Sequence, residues 1–394
     1  MPWESKTVEQ KRIEFIQEVQ KGQKSKSVLC REFGISRPTG DKWIKRFSEE
    51  ENISNHSSVP FNQPLKTDLA IETLILQLRN QIPALGAKKI KRILENEGNT
   101  IPCVSTVNAI LKRNNCISKE ASLAATPFKR FEKEYPNEMW QADFKGHFPL
   151  MNGVRCHPLN VLDDCSRFNI CIDAKDNEQF LSTKMSFERS FKEFGTPKVL
   201  LCDNGNPWGT SQITGYTQFE VWLMKHEVLT VHGRIRHPQT QGKEERFNQT
   251  FTKELLNLKT FKDLADAQKQ FSEYREFYNN IRPHEALNME VPSSKYRASK
   301  RKYKEKVVDW EYTGNCEIRK IKNKGFLTFQ GQGYFLSEAF GGETVGIYES
   351  QVPNCVDVVF RKFRIARVDM GEKFIVSKRC YLLENDPRAL VING

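Results

Sequence analysis

The sequence predicts a multidomain α+β protein, because the spacing of its apolar residues changes twice along the 394 residues. Helical spacing over residues 1–117 is followed by short apolar strands alternating with helices over 136–298, and by short strands with glycine breaks over 299–394. This order predicts a helical N-terminal region, a central α/β domain around one mixed sheet, and a small C-terminal β-barrel. The length alone favours two to four domains.

The charge and the cysteines limit the cellular setting. The net charge is +12 and the pI is about 9.1, which favours a polyanionic partner, because each neutralised phosphate releases a counterion. A basic protein that is merely soluble is the alternative. The ten cysteines form no CxxC pair and no zinc-type grouping, so we expect reduced, structural thiols in a cytosolic protein. The sequence predicts neither a secretory signal nor a membrane helix.

Residues 1–50 predict three helices in a helix-turn-helix arrangement. Val8–Val19 and Ser27–Phe33 carry apolar residues at helical spacing. Gly34 suits a left-handed helix end, and Ser36 can cap a third, basic helix of the right size for the major groove. A generic three-helix bundle is the alternative. The residues of this third helix that we expect to contact DNA are Arg37, Lys42, Lys45 and Arg46.

A polar linker over 51–67 precedes a second helical module over 68–117, and residues 118–135 form another linker. Leu74, Leu78, Ile90 and Leu94 lie at helical spacing, which predicts a second helix-turn-helix of the winged type. Its signal is weaker, since basic surface helices are common. The lysines of this module expected at DNA are Lys88 and Lys89.

The central segment, 136–298, carries the strand and helix signals of an α/β domain. The predicted strands are Met139–Gly146, His157–Leu162, Phe168–Ile172, Lys198–Cys202 and Val228–His232. The predicted helices are 177–194, 214–225, 240–258 and 262–280. The last segment, 299–394, opens with a basic run and continues with five predicted strands, and its charges suit DNA or a solvated surface about equally.

Three carboxylates stand out by their context. Asp143 lies inside an apolar strand, where a buried charge is costly unless it is paired or bound to a metal. Asp203 ends another strand, where α/β folds place their sites, and Glu245 opens a helix. Each has an ordinary structural explanation taken singly. Together, with no His or Cys beside them, they indicate an all-oxygen site for Mg²⁺ or Mn²⁺, and two such ions suit phosphoryl transfer.

Four motifs give the sequence a family resemblance. They are Trp140-Gln141-Ala142-Asp143, Asp203-Asn204-Gly205, the run from His237 to Phe247 that contains Gln241-Gly242-Lys243-Glu244-Glu245, and the run from Tyr278 to Leu287 that contains Arg282-Pro283-His284. These resemble the integrase core of bacterial insertion-sequence transposases of the DDE group, which are related to retroviral integrases.

The resemblance implies a ribonuclease-H-like core over 136–298 and a metal triad of Asp143, Asp203 and Glu245 that carries two Mg²⁺ ions, with Mn²⁺ as a substitute. It also implies a DNA transposase of the bacterial cytosol and nucleoid. Such an enzyme binds the terminal inverted repeats of its element and target DNA, and acts as a homo-oligomer.

The sequence departs from the family pattern at two points. Glu245 lies 42 residues after Asp203, a longer gap than in retroviral integrases, and we expect the extra length in Asn206–Thr217. Family members often have an apolar residue where Glu244 stands, so Glu244 and Glu245 compete for the third position. The alignment of Gln-Gly-x-x-Glu favours Glu245.

Other residues near the motifs allow two interpretations each. We expect Asp163 and Asp164 in a hydrogen-bonded turn rather than at a metal. A structural role is the simpler one for His147, and loop packing is the simpler one for Trp208, which could otherwise stack on a base. Arg282 and His284 receive no chemical role. The residues flanking Glu245 that could hold DNA phosphates, or form a solvated helix face, are Lys243, Arg246, Asn248 and Gln249.

Three other functions remain open at this stage. A domesticated transposase that only binds DNA would act as a repressor, and a ribonuclease-H-like nuclease would nick DNA without joining it. A basic multidomain scaffold is the third, but it does not account for Asp143 inside an apolar strand.

Overall fold

The computed structural model describes residues 7–50, 53–55, 67–117, 132–209, 215–233, 242–377 and 381–382. The chain forms two compact units, residues 1–66 and residues 67–394. The predicted linkers 51–67 and 118–135 lie mostly outside the described residues, as does the run from His237 to Gln241.

The first unit is a three-helix module of α1 (Val8–Lys21), α2 (Lys26–Glu32) and α3 (Arg37–Glu50). Gly34 has φ +66° and Ser36 Oγ accepts a hydrogen bond from the Thr39 amide, which confirms both predicted helix ends. The helices pack closely: a Cβ on Gly40 would lie 2.6 Å from the Cys30 sulfur. The buried side chains are Phe15, Ile16, Leu29, Cys30 and Trp43.

The second unit begins with another three-helix module. Its helices are α4 (Leu69–Gln81), α5 (Ala87–Asn96) and α6 (Val104–Arg113). Ile75, Ile90 and Val107 are fully buried at its centre. Described residues 67–117 contain no strand, and a wing after α6 would fall on residues 118–131, outside the described part of the chain.

The central sheet follows. Its strands are β1 (Met139–Phe144), β2 (Phe148–Pro149), β3 (Arg155–Asp163), β4 (Asn169–Lys175), β5 (Val199–Cys202) and β6 (Leu229–His232). The order across the sheet is β4-β3-β1-β5-β6, with β2 beside the start of β3. β3 runs antiparallel to β1 and β4, whereas β1, β5 and β6 are parallel. This is the strand order of a ribonuclease-H-like fold, and the carboxyl ends of the three parallel strands share one edge.

Helices cover both faces of this sheet. They are α7 (Phe180–Phe194), α8 (Gln218–Lys225), α9 (Gly242–Phe251), α10 (Leu264–Asn280) and α11 (Pro292–Lys295). Trp140 and Leu200 point into a cluster with α7 and α8, as the two-residue period of a strand requires. On the other face, Leu162 and Ile172 pack against α9 and α10. Helix α9 continues into a π-helical turn over Thr252–Leu256, which the sequence did not predict.

The last segment adds eight strands. They are β7 (Cys316–Lys320), β8 (Phe326–Phe329), β9 (Gln332–Phe335), β10 (Thr344–Glu349), β11 (Cys355–Phe360), β12 (Phe363–Asp369), β13 (Phe374–Ser377) and β14 (Tyr381–Leu382). They form an open sheet of order β13-β12-β11-β10-β7, with β14 beside β12, and a separate β8–β9 hairpin. Strands β12 to β14 were not predicted, since Arg364 and Arg367 masked the alternation that buries Phe363, Ile365 and Val368.

The predicted β-barrel is wrong. Within the described residues β7 and β13 are open edges that do not pair, so the sheet does not close. The physical reason is that the central domain covers the apolar face of this sheet. Val358 and Phe363 share one hydrophobic cluster with Val199, Leu201 and Leu229 of the central sheet. A sheet that is covered in this way does not need to curl into a barrel to bury its core.

The segment around the predicted boundary at 298/299 also belongs to the core. Ser299 Oγ donates a 2.8 Å hydrogen bond to the Thr196 carbonyl, and the Arg301 guanidinium donates to the Pro197 carbonyl. The Tyr216 hydroxyl donates a 2.7 Å hydrogen bond to the Ile365 carbonyl on β12. The C-terminal sheet is therefore packed onto the central domain and has no separate core.

Candidate active site

Asp143 lies near the end of β1, at the sheet edge where the three parallel strands finish. The Asn248 amide of α9 donates a 2.9 Å hydrogen bond to Asp143 Oδ2. Burial and then the negative charge of Asp203 raise the pKa of Asp143 to about 6. Two predicted site residues from different strands are therefore close enough to repel each other.

Asp203 follows β5 and is exposed. Its Oδ1 accepts a 3.0 Å hydrogen bond from the Gly205 amide. The loop is tied to the end of β6, because the Asn204 amide donates to the Gly233 carbonyl at 3.1 Å and the Gly233 amide donates to the Cys202 carbonyl at 3.0 Å. The structure thus fixes this carboxylate at the edge where Asp143 lies.

The two adjacent glutamates at the start of α9 have opposite surroundings. Glu244 is only 1 % exposed, and neither of its carboxyl oxygens has a hydrogen-bond partner among the described residues. Burial, and then the charge of Asp143, raise the pKa of Glu244 well above its ordinary value. Glu245 is exposed, and its carboxylate accepts a 3.3 Å hydrogen bond from the Gln249 amide. The structure brings Glu244 to Asp143 and leaves Glu245 facing solvent.

The start of α9 is held to the sheet by buried polar contacts. Lys243 Nζ lies 2.6 Å from Asp164 Oδ2, and the Gln141 amide of β1 donates to Asp164 Oδ1 at 2.6 Å. The Asn160 amide of β3 donates to Asn248 Oδ1 at 2.6 Å. These contacts fix α9 relative to β1 and β3, and so fix both glutamates relative to Asp143.

The Asp163–Asp164 turn is confirmed as a hydrogen-bonded turn. Asp163 accepts hydrogen bonds from the Asn137 amide at 2.6 Å and from the Ser166 amide at 2.8 Å. Asp164 is bonded by Lys243 and Gln141, as described above. Its role in the structure is to anchor α9.

The residues expected at DNA fall into two groups. Six of them are exposed: Arg37, Lys42, Lys45, Lys88, Arg246 and Gln249. Four are buried or half-buried instead: Arg46, Lys89, Lys243 and Asn248. Arg46 is 9 % exposed, with its guanidinium 5.2 Å from the centre of the Trp43 ring. Apolar packing and buried pairing therefore account for these four side chains without DNA.

Two ambiguous residues near the site have structural contacts. Trp208 is 1 % exposed and packs against Phe187 and Phe219, so it does not offer a face to a base. His147 Nε2 lies 2.9 Å from an Arg155 nitrogen, and its ring lies 5.1 Å from that of His157. Within Asn206–Thr217, where we expect the extra length, Trp208 and Tyr216 both pack inward.

The motif with Arg282 and His284 forms a buried ion pair. The Arg282 guanidinium donates three hydrogen bonds, at 2.8–3.1 Å, to the carboxylate of Glu254 in the π-helical turn. The Tyr274 hydroxyl donates to the same carboxylate at 3.1 Å. Lys89 of α5 lies nearby, where burial and then the Arg282 charge lower its pKa to about 8. Sequence reasoning missed Glu254, which no motif marks.

His232, at the end of β6, was also missed. Its Nδ1 lies 2.7 Å from the Asp203 carbonyl oxygen and its Nε2 lies 3.0 Å from Glu220 Oε1. Burial favours the neutral ring, but hydrogen bonds to Cys202 and Glu220 outweigh it and raise the pKa of His232 to about 11. The only signal in the sequence was its place at the end of a predicted strand.

The donor set around Asp143 fits a hard divalent cation. Asp143, Asp203 and Glu244 bring carboxyl groups together, and the Glu244 oxygens are buried without a hydrogen-bond partner among the described residues. Such oxygen donors are the ligands that a hard divalent cation prefers. Among the described residues no three His, Cys, Asp or Glu side chains already converge in a ligating arrangement. In the part of the chain that the structure describes, no helix is long and apolar enough to cross a membrane.

Family comparisons agree with this architecture. Residues 133–238 and 226–292 match integrase core domain families, and residues 11–55 match a helix-turn-helix domain family. Residues 316–375 match the C-terminal domain of IS481 family transposases. The chain is an insertion-sequence transposase with an integrase core. Its helix-turn-helix and integrase domains are those of a DNA-binding protein.

Relatives of the transposase come from bacterial insertion elements. An uncharacterized 31.7 kDa protein of insertion element IS407 from Burkholderia multivorans is 28 % identical over 239 residues, which cover 57 % of this chain and 81 % of the relative. An uncharacterized 39.2 kDa protein of IS476 from Xanthomonas euvesicatoria is 27 % identical, over 57 % of this chain and 59 % of the relative.

Solved structures similar to the transposase are viral integrases. The HTLV-2 integrase catalytic core domain, solved in complex with magnesium, is 15 % identical with a TM-score of 0.31, over 42 % of this chain and 99 % of that one. A chain of a simian T-cell lymphotropic virus intasome is 14 % identical with a TM-score of 0.37, over 72 % of this chain and 91 % of that one.

Proposed function

We propose that this transposase cuts DNA and joins the cut strand to a target at a divalent-metal site formed by Asp143, Asp203 and Glu245. The observation that carries the proposal is the meeting of carboxyl groups at the edge of the sheet, where burial and mutual repulsion disfavour their charged forms. The charge of Asp203 raises the pKa of Asp143, and the charge of Asp143 raises the pKa of Glu244. Lys145 and the Asn248 hydrogen bond only partly offset the burial of Asp143, and a bound divalent ion would favour its charged form further.

Glu245 is the better third ligand because it is accessible. It lies one residue from Glu244 on α9 and three residues before Asn248, which bonds Asp143. A DNA phosphate and its metal must approach from solvent, and Glu245 faces solvent whereas Glu244 does not. Glu244 then lies buried beside Asp143 and does not touch DNA.

The residues around the proposed metal site each have a distinct role in the reaction. Mg²⁺, or Mn²⁺ in its place, would supply an acidified water or 3′-hydroxyl and neutralise phosphate charge. Asn248 orients the Asp143 carboxylate through its 2.9 Å hydrogen bond. Lys243 and Asp164 hold the start of α9, so that Glu245 keeps its place. Arg246, exposed beside Glu245, contacts DNA phosphate.

DNA ends are recognised by the N-terminal modules. The exposed basic residues Arg37, Lys42 and Lys45 of α3 lie on the helix that enters the major groove. Lys88 of the second module and Gln249 of α9, both exposed, add further contacts to DNA. The protein binds the inverted repeats of its element and a target duplex as a homo-oligomer, in the bacterial cytosol on the nucleoid.

The test is product analysis in vitro with DNA that flanks the gene as donor, a supercoiled target, and Mg²⁺ or Mn²⁺. Wild type is expected to give donor strands covalently joined to target, and Asp143→Asn and Asp203→Asn neither nicks nor joined strands. Nicks without joined strands from wild type would instead indicate a nuclease. Tight donor binding without any product in either metal would indicate a repressor.

A further inference from the structure

His232 is placed to hold the backbone of Asp203. Beyond Cys202 and His232, which pair at the end of the β5–β6 ladder, the chain at Asp203 leaves the sheet. The His232 ring supplies a hydrogen bond where the backbone ladder has ended, since its Nδ1 lies 2.7 Å from the Asp203 carbonyl oxygen. The Cys202 sulfur is 3.8 Å from the same nitrogen, so the carbonyl is the principal partner.

Glu220 fixes the ring from the other side. Its Oε1 lies 3.0 Å from His232 Nε2, and its Oε2 accepts a 2.7 Å hydrogen bond from the Thr217 amide. The Glu220 amide in turn donates to Thr217 Oγ1 at 3.1 Å, which completes a capping box at the start of α8. One carboxylate therefore serves both the helix end and the histidine, and its own position is set by the helix.

Helix α8 is itself anchored. Tyr216, next to the cap, donates its hydroxyl to Ile365 of β12, and the Ser337 hydroxyl donates to the Tyr216 carbonyl at 2.8 Å. Lys225 at the other end of α8 pairs with Glu343 at 2.6 Å. The support of Asp203 thus extends through Glu220 to the C-terminal sheet.

The occupied ring nitrogens exclude two other roles for His232. A general base needs a free nitrogen, and a metal ligand needs a lone pair, but both nitrogens here are bonded to protein acceptors. The remaining role for His232 is to hold the backbone of Asp203 in place.

We propose that His232 and Glu220 are positioning residues that set the orientation of the Asp203 carboxylate for metal binding. The inference rests on the proposed function, because it requires Asp203 to be a metal ligand. Partners that orient a ligating group are expected to change metal affinity by about 10- to 100-fold when they are removed.

The measurement is the Mg²⁺ concentration that gives half-maximal strand cleavage, alongside donor-DNA affinity and melting temperature. His232→Leu is expected to raise this concentration about tenfold or more, with DNA affinity unchanged and partial recovery in Mn²⁺. His226→Gln is the matched control, since His226 packs on Trp222 and Tyr303 at the far end of α8. It should leave the Mg²⁺ requirement unchanged.

A pair of Glu220 variants keeps the test decisive if His232→Leu fails to fold. Gln at position 220 can still accept from Thr217 and donate to a neutral His232 ring, so Glu220→Gln should keep the wild-type Mg²⁺ requirement. Glu220→Ala should raise it. Thr217→Ala removes part of the same cap without touching His232, so it should lower only the melting temperature.

The outcomes separate the two proposals. An unchanged Mg²⁺ requirement in both His232→Leu and Glu220→Ala, with Asp203→Asn inactive, overturns the positioning role alone. An active Asp203→Asn overturns the proposed metal site and the positioning role with it. An equal rise in Thr217→Ala and Glu220→Ala assigns the effect to the helix cap and also overturns the inference.

Discussion

Two buried glutamates lie ten residues apart on the same helical segment, and their surroundings differ completely. Glu254, in the π-helical turn, accepts three hydrogen bonds from Arg282 and one from Tyr274. Glu244, at the start of α9, has no hydrogen-bond partner among the described residues and faces Asp143. The first is a structural charge that the fold fully satisfies. The second is a buried carboxyl group without hydrogen-bond partners, which proteins retain at functional sites.

The comparison also divides the helix by function. The Glu254 end joins α10 and lies beside Lys89 of the second three-helix module. The Glu244 end joins the edge of the sheet where Asp143 and Asp203 lie. The buried ion pair therefore lies at one end of this segment and the proposed metal site at the other.

Breaking the satisfied pair should have the largest effect. Arg282→Ala leaves Glu254 buried without its cation, and we expect it to lower the free energy of unfolding by about 3–5 kcal/mol. Urea denaturation followed by circular dichroism measures this. The control is Lys198→Ala, which breaks a half-exposed pair with Glu138 and should cost at most about 1 kcal/mol. Equal losses in both variants would refute the distinction.

Replacing the buried carboxyl of Glu244 should stabilise the protein at high pH. Because burial raises the pKa of Glu244 above 4.5, the folded protein keeps a proton that the unfolded chain releases near that pH. Wild-type stability therefore falls as the pH rises above 4.5, and Glu244→Gln escapes that loss. We expect a gain of about 1–3 kcal/mol at pH 8 in EDTA and none at pH 4. The exposed neighbour supplies the control, since Glu245→Gln should change stability by less than about 0.5 kcal/mol. A gain that is the same at both pH values would show that Glu244 is not the cause.

Mg²⁺ should stabilise the site in a pH-dependent way. Asp143 has a pKa of about 6, so it must lose a proton to bind a cation below that pH. We expect Mg²⁺ at tenfold its dissociation constant to add about 1.4 kcal/mol at pH 7.5 and clearly less at pH 5. Thermal melting with and without Mg²⁺ measures this. Asp143→Asn should abolish the shift, and a shift that survives in this variant would place the ion elsewhere.

The smallest effect should come from a charge pair that is neither buried nor strained. Arg92 of α5 lies 2.9 Å from Glu290, and both are partly exposed. We expect Arg92→Gln to cost about 0–1 kcal/mol in urea denaturation. A loss above about 2 kcal/mol would show that the second module depends on this contact as strongly as the core depends on Arg282.

Local patterns were enough to predict most of the elements. The helix ends at Gly34 and Ser36, and the strands that carry Asp143 and Asp203, follow from capping chemistry and apolar runs in neighbouring residues. The open C-terminal sheet could not be predicted, because the surface that covers it comes from β5 and β6, more than a hundred residues earlier. Strand β12 was missed because Arg364 and Arg367 hide the alternation of its buried residues.

The residue types of the candidate site could be predicted from the sequence, but which of its side chains are buried could not. Motifs identified Asp143, Asp203 and the glutamate pair, but the exposure of each glutamate depends on the orientation of α9. That orientation is set by Asp164 and Asn160, which lie on other elements. Lys243 was expected at DNA because its partner Asp164 is 79 residues away in sequence, and no local pattern shows that the two side chains meet.

The most direct test of the metal site is the rate of strand transfer in Mg²⁺ for Glu244→Gln and Glu245→Gln. Loss of a metal-ligating carboxylate removes several kcal/mol of transition-state stabilisation, so Glu245→Gln should be slower by about a thousandfold. Glu244→Gln, which replaces a buried neutral side chain with one of the same shape, should stay within about tenfold of wild type. The reverse ranking would make Glu244 the third ligand, and full activity in both variants would contradict a site built on this helix.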